Sequence, residues 1–150
     1  VPGSNNNFGK GSTPGEEFLQ RSAAVKAWIA AAFTRARALR LEGIVIIMQA
    51  NPDIEDFSAG RPRRGYYELL MQLLTETKRF DGQVLLVHGD SHFHRVDTPL
   101  REPSGQRVAN FTRLETWGSP FMGWVKVEVT PGEKALFRFW PRDYSPRQGD

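Results

Sequence analysis

The sequence contains no cysteine. This absence excludes disulfide bonds, thiolate nucleophiles and zinc sites built from cysteine. No apolar run approaches the roughly 18 residues that a membrane-spanning helix needs, so we expect no membrane span. A Gly-rich phosphate-binding motif is also missing. The chain does offer 150 residues with 39% hydrophobic and 25% charged side chains, enough for one globular domain with a sizeable core.

The positive charge of the chain is weak and dispersed. The formal net charge is only +3, whereas a nucleic-acid-binding domain concentrates basic residues on one face. The arginines are instead spread over three places: Arg35, Arg37 and Arg40; Arg61, Arg63 and Arg64; Arg138, Arg142 and Arg147. This distribution argues against nucleic acid as a partner.

Helical and strand patterns alternate over the first 88 residues. Apolar residues recur at helical spacing from about 15 to 40, and again from Tyr66 to about Lys78. Each of these segments precedes a continuous apolar run, at 44–48 and at 84–87, which is typical of a strand buried on both faces. We expect strands at 44–48 and 83–88. The order helix, strand, helix, strand predicts an α/β fold whose two strands are parallel neighbours. We expect loops at 3–15 and at 50–64.

The pattern changes after residue 95. Residues 107–117 and 122–130 are typical of exposed-edge strands, and in the second of them apolar and polar residues alternate. A Pro-Gly turn precedes a returning strand at 135–140. We therefore expect an antiparallel region, followed by a frayed tail at 141–150.

All three histidines of the chain lie within seven residues, directly after the second apolar run. If the segment is extended, Asp90, His92 and His94 point to the same side, because side chains alternate along a strand. A carboxylate with imidazoles is a ligand set for zinc, manganese or iron. The alternative is a polar loop in which these side chains bond to backbone groups.

Two further polar groups have alternative interpretations. Asn5 and Asn6 could bind a cation or a phosphate oxygen, or could form a turn that tolerates left-handed backbone. The arginines at 61–64 could grip an anionic substrate in a bidentate manner, or could belong to a solvated loop.

The order of these motifs resembles the calcineurin-like metallophosphoesterases. In that family one strand closes on His, and the next closes on Gly-His-Thr-His. Here 44–48 closes on Gln49, and 84–88 closes on Gly89-Asp90-Ser91-His92. In the family, a loop and a Trp-containing helix come before these two strands. In this chain, Gly3-Ser4-Asn5-Asn6 and Trp28 stand at the corresponding places. A turn similar to Trp117-Gly118-Ser119 comes after.

The resemblance implies a fold and a ligand set. Residues 1–140 would be the C-terminal part of one αββα sandwich domain, in a bacterial subgroup of exported phosphoesterase-like proteins. His92 falls on a metal-ligating His of the family, Asp90 on the His that begins the same motif, and Gln49 on the His that ends the preceding strand. Asn5, Asn6 and His94 would contact substrate or the outer shell of the metal. The family's other metal-binding motifs have no counterpart, so we expect them in an upstream segment or a second chain.

The function implied by this resemblance is hydrolysis of a phosphoester with divalent metal ions (Mn, Fe, Zn or Mg). The substrate would be a phosphorylated small molecule or another phosphoester. The alternative is a non-catalytic relative that binds a ligand or partner through the same loop, because Gln49 and Asp90 replace histidines.

Overall fold

The structure, a computed structural model, describes residues 4–144. A short 3-10 turn at Ser4–Asn7 precedes a small antiparallel ribbon. The helices and strands, in chain order, are β1 (Gly9–Lys10), β2 (Thr13–Pro14), α1 (Glu16–Ala38), β3 (Gly43–Ile47), α2 (Ile54–Ser58), α3 (Arg64–Lys78), β4 (Gln83–His88), β5 (Arg95–Asp97), β6 (Phe111–Glu115), β7 (Gly123–Val129) and β8 (Phe137–Asp143).

The central sheet has four strands in the order β3-β4-β6-β5. Strand β3 is parallel to β4, with Gly43 opposite Gln83 and Ile47 opposite Val87. This confirms the predicted parallel neighbours and the α/β class of the fold. Because parallel strands run in one direction, Gln49 and the Gly89–His92 loop leave the sheet at the same edge.

Strand β6 differs from the expectation. The sequence predicted an exposed antiparallel strand at 107–117, but β6 is shorter and lies inside the sheet. It is antiparallel to β5, as expected, and parallel to β4 on its other side. Arg113 and Glu115 gave the segment its polar character. Both side chains are nevertheless fully buried, because carboxylates and an arginine from other elements pair with them.

Other elements pack on both faces of the sheet, although Val45 and Ile47 of β3 stay exposed. Helices α1 and α3 pack on one face through a large apolar core that includes Phe33, Leu70 and Leu86. The antiparallel hairpin β7–β8 covers the other face through a smaller core that includes Leu85 and Leu114. The alternation predicted for 122–130 is therefore correct.

The structure differs from the expected boundaries at three places. Residues 3–15, expected to be a loop, contain the 3-10 turn and the β1–β2 ribbon. Residues 50–64, expected to be a loop, contain α2. Residues 141–143, expected to belong to a frayed tail, complete β8, where Pro141 pairs with Val125. Proline is tolerated there because both strands of a two-stranded hairpin have an open edge. The rest of the expected tail, 145–150, lies outside the described residues, as do Val1 to Gly3. Within residues 4–144, no helix has the length and apolar character needed to cross a membrane.

Candidate functional site

The candidate site lies where β3 and β4 end, at the carboxyl edge of the parallel sheet. Ligands of open α/β sheets bind at this edge. The pairing continues beyond both strands, because the amide of Gly89 donates to the carbonyl oxygen of Gln49 at 3.1 Å. The amide of Asn51 also donates to Oδ2 of Asp90, at 3.3 Å. The two loops therefore form one connected surface.

The loop after β4 is bent rather than extended. Asp90 has a φ of 81° and His92 a φ of 64°, the left-handed region that side-chain-bearing residues rarely adopt. Such conformations concentrate at functional sites. The bend overturns the expected alignment of Asp90, His92 and His94 on one side. Within residues 4–144, no three His, Cys, Asp or Glu side chains converge as a metal-binding group.

His92 is exposed, and its ring is held in place on two sides. Its Nδ1 lies 2.5 Å from the carbonyl oxygen of Ser119. Gly118 lies directly beneath the ring, since a Cβ at that position would come within 2.4 Å of the imidazole Cδ2. A carbonyl oxygen can only accept, so Nδ1 carries the proton, and Nε2 of the neutral ring keeps a lone pair. Histidines that ligate metals commonly show this arrangement.

His94 has anchoring contacts of its own. Its ring stacks on Trp117, with ring centroids 4.3 Å apart, and its Nδ1 lies 3.0 Å from the carbonyl oxygen of Glu115. Trp117 and the end of β6 therefore hold His94, whereas Gly118 and Ser119 hold His92. The sequence predicted only a turn at Trp117-Gly118-Ser119, although this segment orients two imidazoles. No local signal identifies that role.

His88 is buried at the base of the same loop. Burial holds the pKa of His88 below its ordinary value, against the opposing effects of the Gly89 carbonyl and the Glu115 carboxylate. The ring is therefore neutral near pH 7. Its Nδ1 lies 3.0 Å from the carbonyl oxygen of Gly89, which ties the end of β4 to the loop.

A buried ionic cluster supports this edge of the sheet. Arg113 pairs with Asp97 through two hydrogen bonds of 2.8 and 2.5 Å, and with Glu55 at 2.7 Å. Arg95 joins Glu55 at 2.7 Å to Glu115 at 2.5 Å. We name these five residues the ionic cluster. It connects α2, β5 and β6, elements that are remote from one another in the sequence.

The end of β3 carries further acidic character. Asp53 has a φ of 54°, and Arg63 holds its carboxylate at 2.6 Å. Burial raises the pKa of Asp53, Arg63 opposes this effect, and nearby carboxylates including Asp90 add to it. Burial, and then the negative charges of Asp90 and Asp53, raise the pKa of Tyr66. The carboxylates of Asp53 and Asp90 thus lie close enough to Tyr66 to affect its phenol.

Asn5 and Asn6 hold the start of α3. Oδ1 of Asn5 accepts from the amide of Gly65 at 2.9 Å, and Nδ2 of Asn6 donates to the Gly65 carbonyl at 2.6 Å. Arg21 donates to Oδ1 of Asn6 at 2.6 Å. Both asparagines have left-handed backbone, with φ of 56° and 58°. Their amides therefore serve the turn, as the alternative interpretation predicted, and their side-chain oxygens already accept hydrogen bonds.

The remaining polar candidates lie at the periphery. Arg61 pairs with Asp56 at 3.1 Å, as Arg63 does with Asp53, so both act within their own loop. Gln49 is exposed at the mouth of a mostly apolar cleft of about 320 Å³ between α1, β3 and α3.

The comparisons with known proteins identify no relative. No family model, curated protein or solved structure matches this chain at a significant level.

Proposed function

We propose that this chain contributes the metal-binding loop of a divalent-metal-dependent phosphoester hydrolase. Asp90 and His92 would hold the metal, with Gln49 beside them. The observation that carries the proposal is the presentation of His92. Its ring is exposed at the carboxyl edge of parallel strands, and its Nδ1 is committed to Ser119, so Nε2 is free to coordinate.

The donors fit a hard or borderline divalent cation. Asp90 offers the carboxylate oxygen that the Asn51 amide leaves free, and His92 offers a neutral imidazole nitrogen. A bound metal ion would supply a water of lowered pKa and would neutralise charge on a phosphoryl group. The left-handed backbone at both residues keeps the two donors on one short, exposed loop.

Metal binding by the chain is the first test. We expect Mn²⁺ or Zn²⁺ to bind in isothermal titration calorimetry. His92→Ala should weaken binding by at least about 10- to 100-fold, the loss typical of removing only a group that orients a ligand. Asp90→Asn should also weaken it. Ser91→Ala is the matched control, because Ser91 is exposed in the same loop and should leave affinity unchanged. Equal affinities for the wild type and His92→Ala would contradict the proposal.

A further polypeptide segment would complete the site. Strand β3 is at the edge of the four-stranded sheet, and Ile47 on it is 76% exposed. Trp28 on α1 is equally exposed beside the same apolar cleft. Exposed apolar strand edges recruit another strand. We propose that an extended segment of a second copy of this chain pairs with β3 and supplies the remaining metal ligands.

Size-exclusion chromatography with mass determination tests this pairing. The wild type should form a larger species, and Ile47→Lys should be a monomer of 17.0 kDa, because a buried lysine opposes strand pairing. The control is Leu19→Lys, because Leu19 is an exposed apolar residue on α1 and not on β3. A wild type that remains monomeric when purified with no other chain would contradict the pairing.

A non-catalytic binding role at the same loop is the second candidate. The observation that favours it is that no three candidate ligands converge within residues 4–144. Turnover of an aryl phosphate distinguishes the two functions. Metal-dependent turnover by the assembled protein, abolished by His92→Ala, supports the hydrolase, whereas metal binding without turnover supports the binding protein.

A further inference from the structure

On the outer face of the β7–β8 hairpin, the side chains change from apolar at the open end to charged near the turn. The strand register places Trp124 opposite Arg142, Lys126 opposite Trp140, and Glu128 opposite Arg138. The amide of Tyr144 donates to the carbonyl of Met122, which extends the same register by one row. Since side chains alternate along a strand, these eight residues share the face turned away from the core.

The open end of the hairpin is apolar and exposed. We define the apolar patch as Phe121, Met122, Trp124 and Tyr144, which expose 62%, 62%, 61% and 64% of their surfaces. Soluble monomers rarely leave such a contiguous group uncovered unless it binds something. The patch is therefore a candidate interaction surface.

Positive charge flanks the apolar patch. Arg142 donates only to the carbonyl of Pro141, and the Lys126 ammonium lies 5.2 Å from the centre of the Trp140 ring. Neither has a carboxylate partner within residues 4–144. The one acid on this face, Glu128, lies at the far end opposite Arg138, and Asp143 belongs to the other face of the strand. The surface is thus complementary to an anionic partner.

We propose that this end of the hairpin docks on the surface of an anionic lipid bilayer. Successive rows of the face are about 7 Å apart, twice the rise per residue of a strand. Met122 and Tyr144 can therefore reach the boundary of the headgroups and acyl chains while Arg142 and Lys126 stay at the phosphate level. Tryptophan and tyrosine favour this interface, and basic residues add attraction to anionic lipids.

Two other occupants fit the face less well. Single-stranded nucleic acid could stack on the open rings of Phe121, Trp124 and Tyr144, but it also needs a positively charged groove that follows its backbone. Among the described residues, this face offers only Lys126 and Arg142 as basic side chains without a carboxylate partner. A second copy of the chain would bring Lys126 and Arg142 of both copies together. Met122 has no ring on which a base could stack, and together with Phe121 it suits insertion into lipid.

Docking would place the candidate metal loop at the lipid headgroups. Ser119, whose carbonyl lies 2.5 Å from Nδ1 of His92, is two residues before Phe121. Bilayer docking itself does not depend on the proposed hydrolase activity, because it uses residues of the hairpin only. Its failure would leave the metal-binding proposal untouched.

Vesicle co-sedimentation of the full chain tests the docking. We expect binding to vesicles of phosphatidylcholine and phosphatidylserine at about 3:1, and much weaker binding to phosphatidylcholine alone. The double variant Phe121→Ser, Met122→Ser should bind at least about tenfold more weakly, since each side chain loses its apolar burial. Lys126→Gln with Arg142→Gln should lose about tenfold on anionic vesicles only.

Matched control variants separate docking through the hairpin from nonspecific association with vesicles. Leu19→Ser and Arg101→Gln change an exposed apolar and an exposed basic residue elsewhere and should bind as the wild type does. Quenching of tryptophan fluorescence by brominated lipid, reduced in Trp124→Phe, gives a second measurement that depends on the contact itself. Four results would each overturn the proposal. These are no binding to anionic vesicles, an equal loss of binding in the control variants, binding of single-stranded DNA in place of vesicles, and dimerisation through the apolar patch.

Discussion

Replacing Arg113 with methionine is the most informative perturbation of the ionic cluster. Arg113 has no exposed surface, and its guanidinium bonds to Asp97 at 2.8 and 2.5 Å and to Glu55 at 2.7 Å. Methionine fills a similar volume along the aliphatic stem. The substitution therefore removes a charge and its hydrogen bonds without leaving a large cavity.

The magnitude follows from the burial of each partner. Removing one member of a buried ion pair costs about 3–5 kcal/mol, because the other charge is left uncompensated. Here the side chains of Asp97 and Glu55 are 41% and 49% exposed, so water recovers part of that loss, and Glu55 keeps Arg95. We therefore expect a loss near the lower end, about 3 kcal/mol. For a chain of this size that lowers Tm by roughly 6–12 °C.

Urea denaturation followed by circular dichroism measures this loss directly. Arg101→Met is the matched control, because Arg101 is exposed and donates only to the carbonyl of Gly105 through its guanidinium; its effect should stay within about 0.5 kcal/mol. Asp97→Asn should cost less than Arg113→Met, since Arg113 retains Glu55. If Arg113→Met equals or exceeds the stability of the wild type, the cost of desolvating the arginine outweighs its pairing, and our account of the cluster is wrong.

Two further predictions concern acid stability and the candidate metal ligand. Burial acts to raise the pKa of Glu55, but hydrogen bonding and charge from Arg113, with charge from Arg95, hold that pKa below its ordinary 4.5. The stabilisation is therefore present above pH 4.5 and is lost as the pH falls through the lower pKa of the folded state. Glu55→Gln should flatten the pH dependence of stability below 4.5 in acid titrations, and an unchanged slope would contradict this account. Gly118→Ala should displace the His92 ring and weaken Mn²⁺ or Zn²⁺ binding about tenfold. The circular dichroism spectrum should stay native. Undiminished affinity would show that Gly118 does not position the ring.

Local periodicity was sufficient for the framework of the fold. The apolar runs at 44–48 and 84–87 predicted two parallel neighbours, and the alternation at 122–130 predicted a half-buried antiparallel strand. These patterns report which faces of an element are buried, and that information is local. The position of Gln49 and the Gly89–His92 loop at one edge followed directly, because parallel strands end at the same edge.

The candidate site was only partly predictable. The clustering of histidines identified the loop, but not its left-handed bend at Asp90 and His92 or the stacking of His94 on Trp117. Nor could the sequence reveal that Ser119 and Gly118 fix the His92 ring. These contacts join residues 26 or more positions apart, and no periodic pattern encodes them.

By itself, then, the sequence determined the α/β alternation and the strand ends that carry the polar loops. Only the tertiary structure decided where the charges lie. Arg113 and Glu115 give β6 the composition of an exposed strand, yet both are buried in the sheet. A charge can be buried only where an opposite charge or hydrogen-bond partner meets it, and those partners, on α2 and β5, come from segments that folding alone brings together.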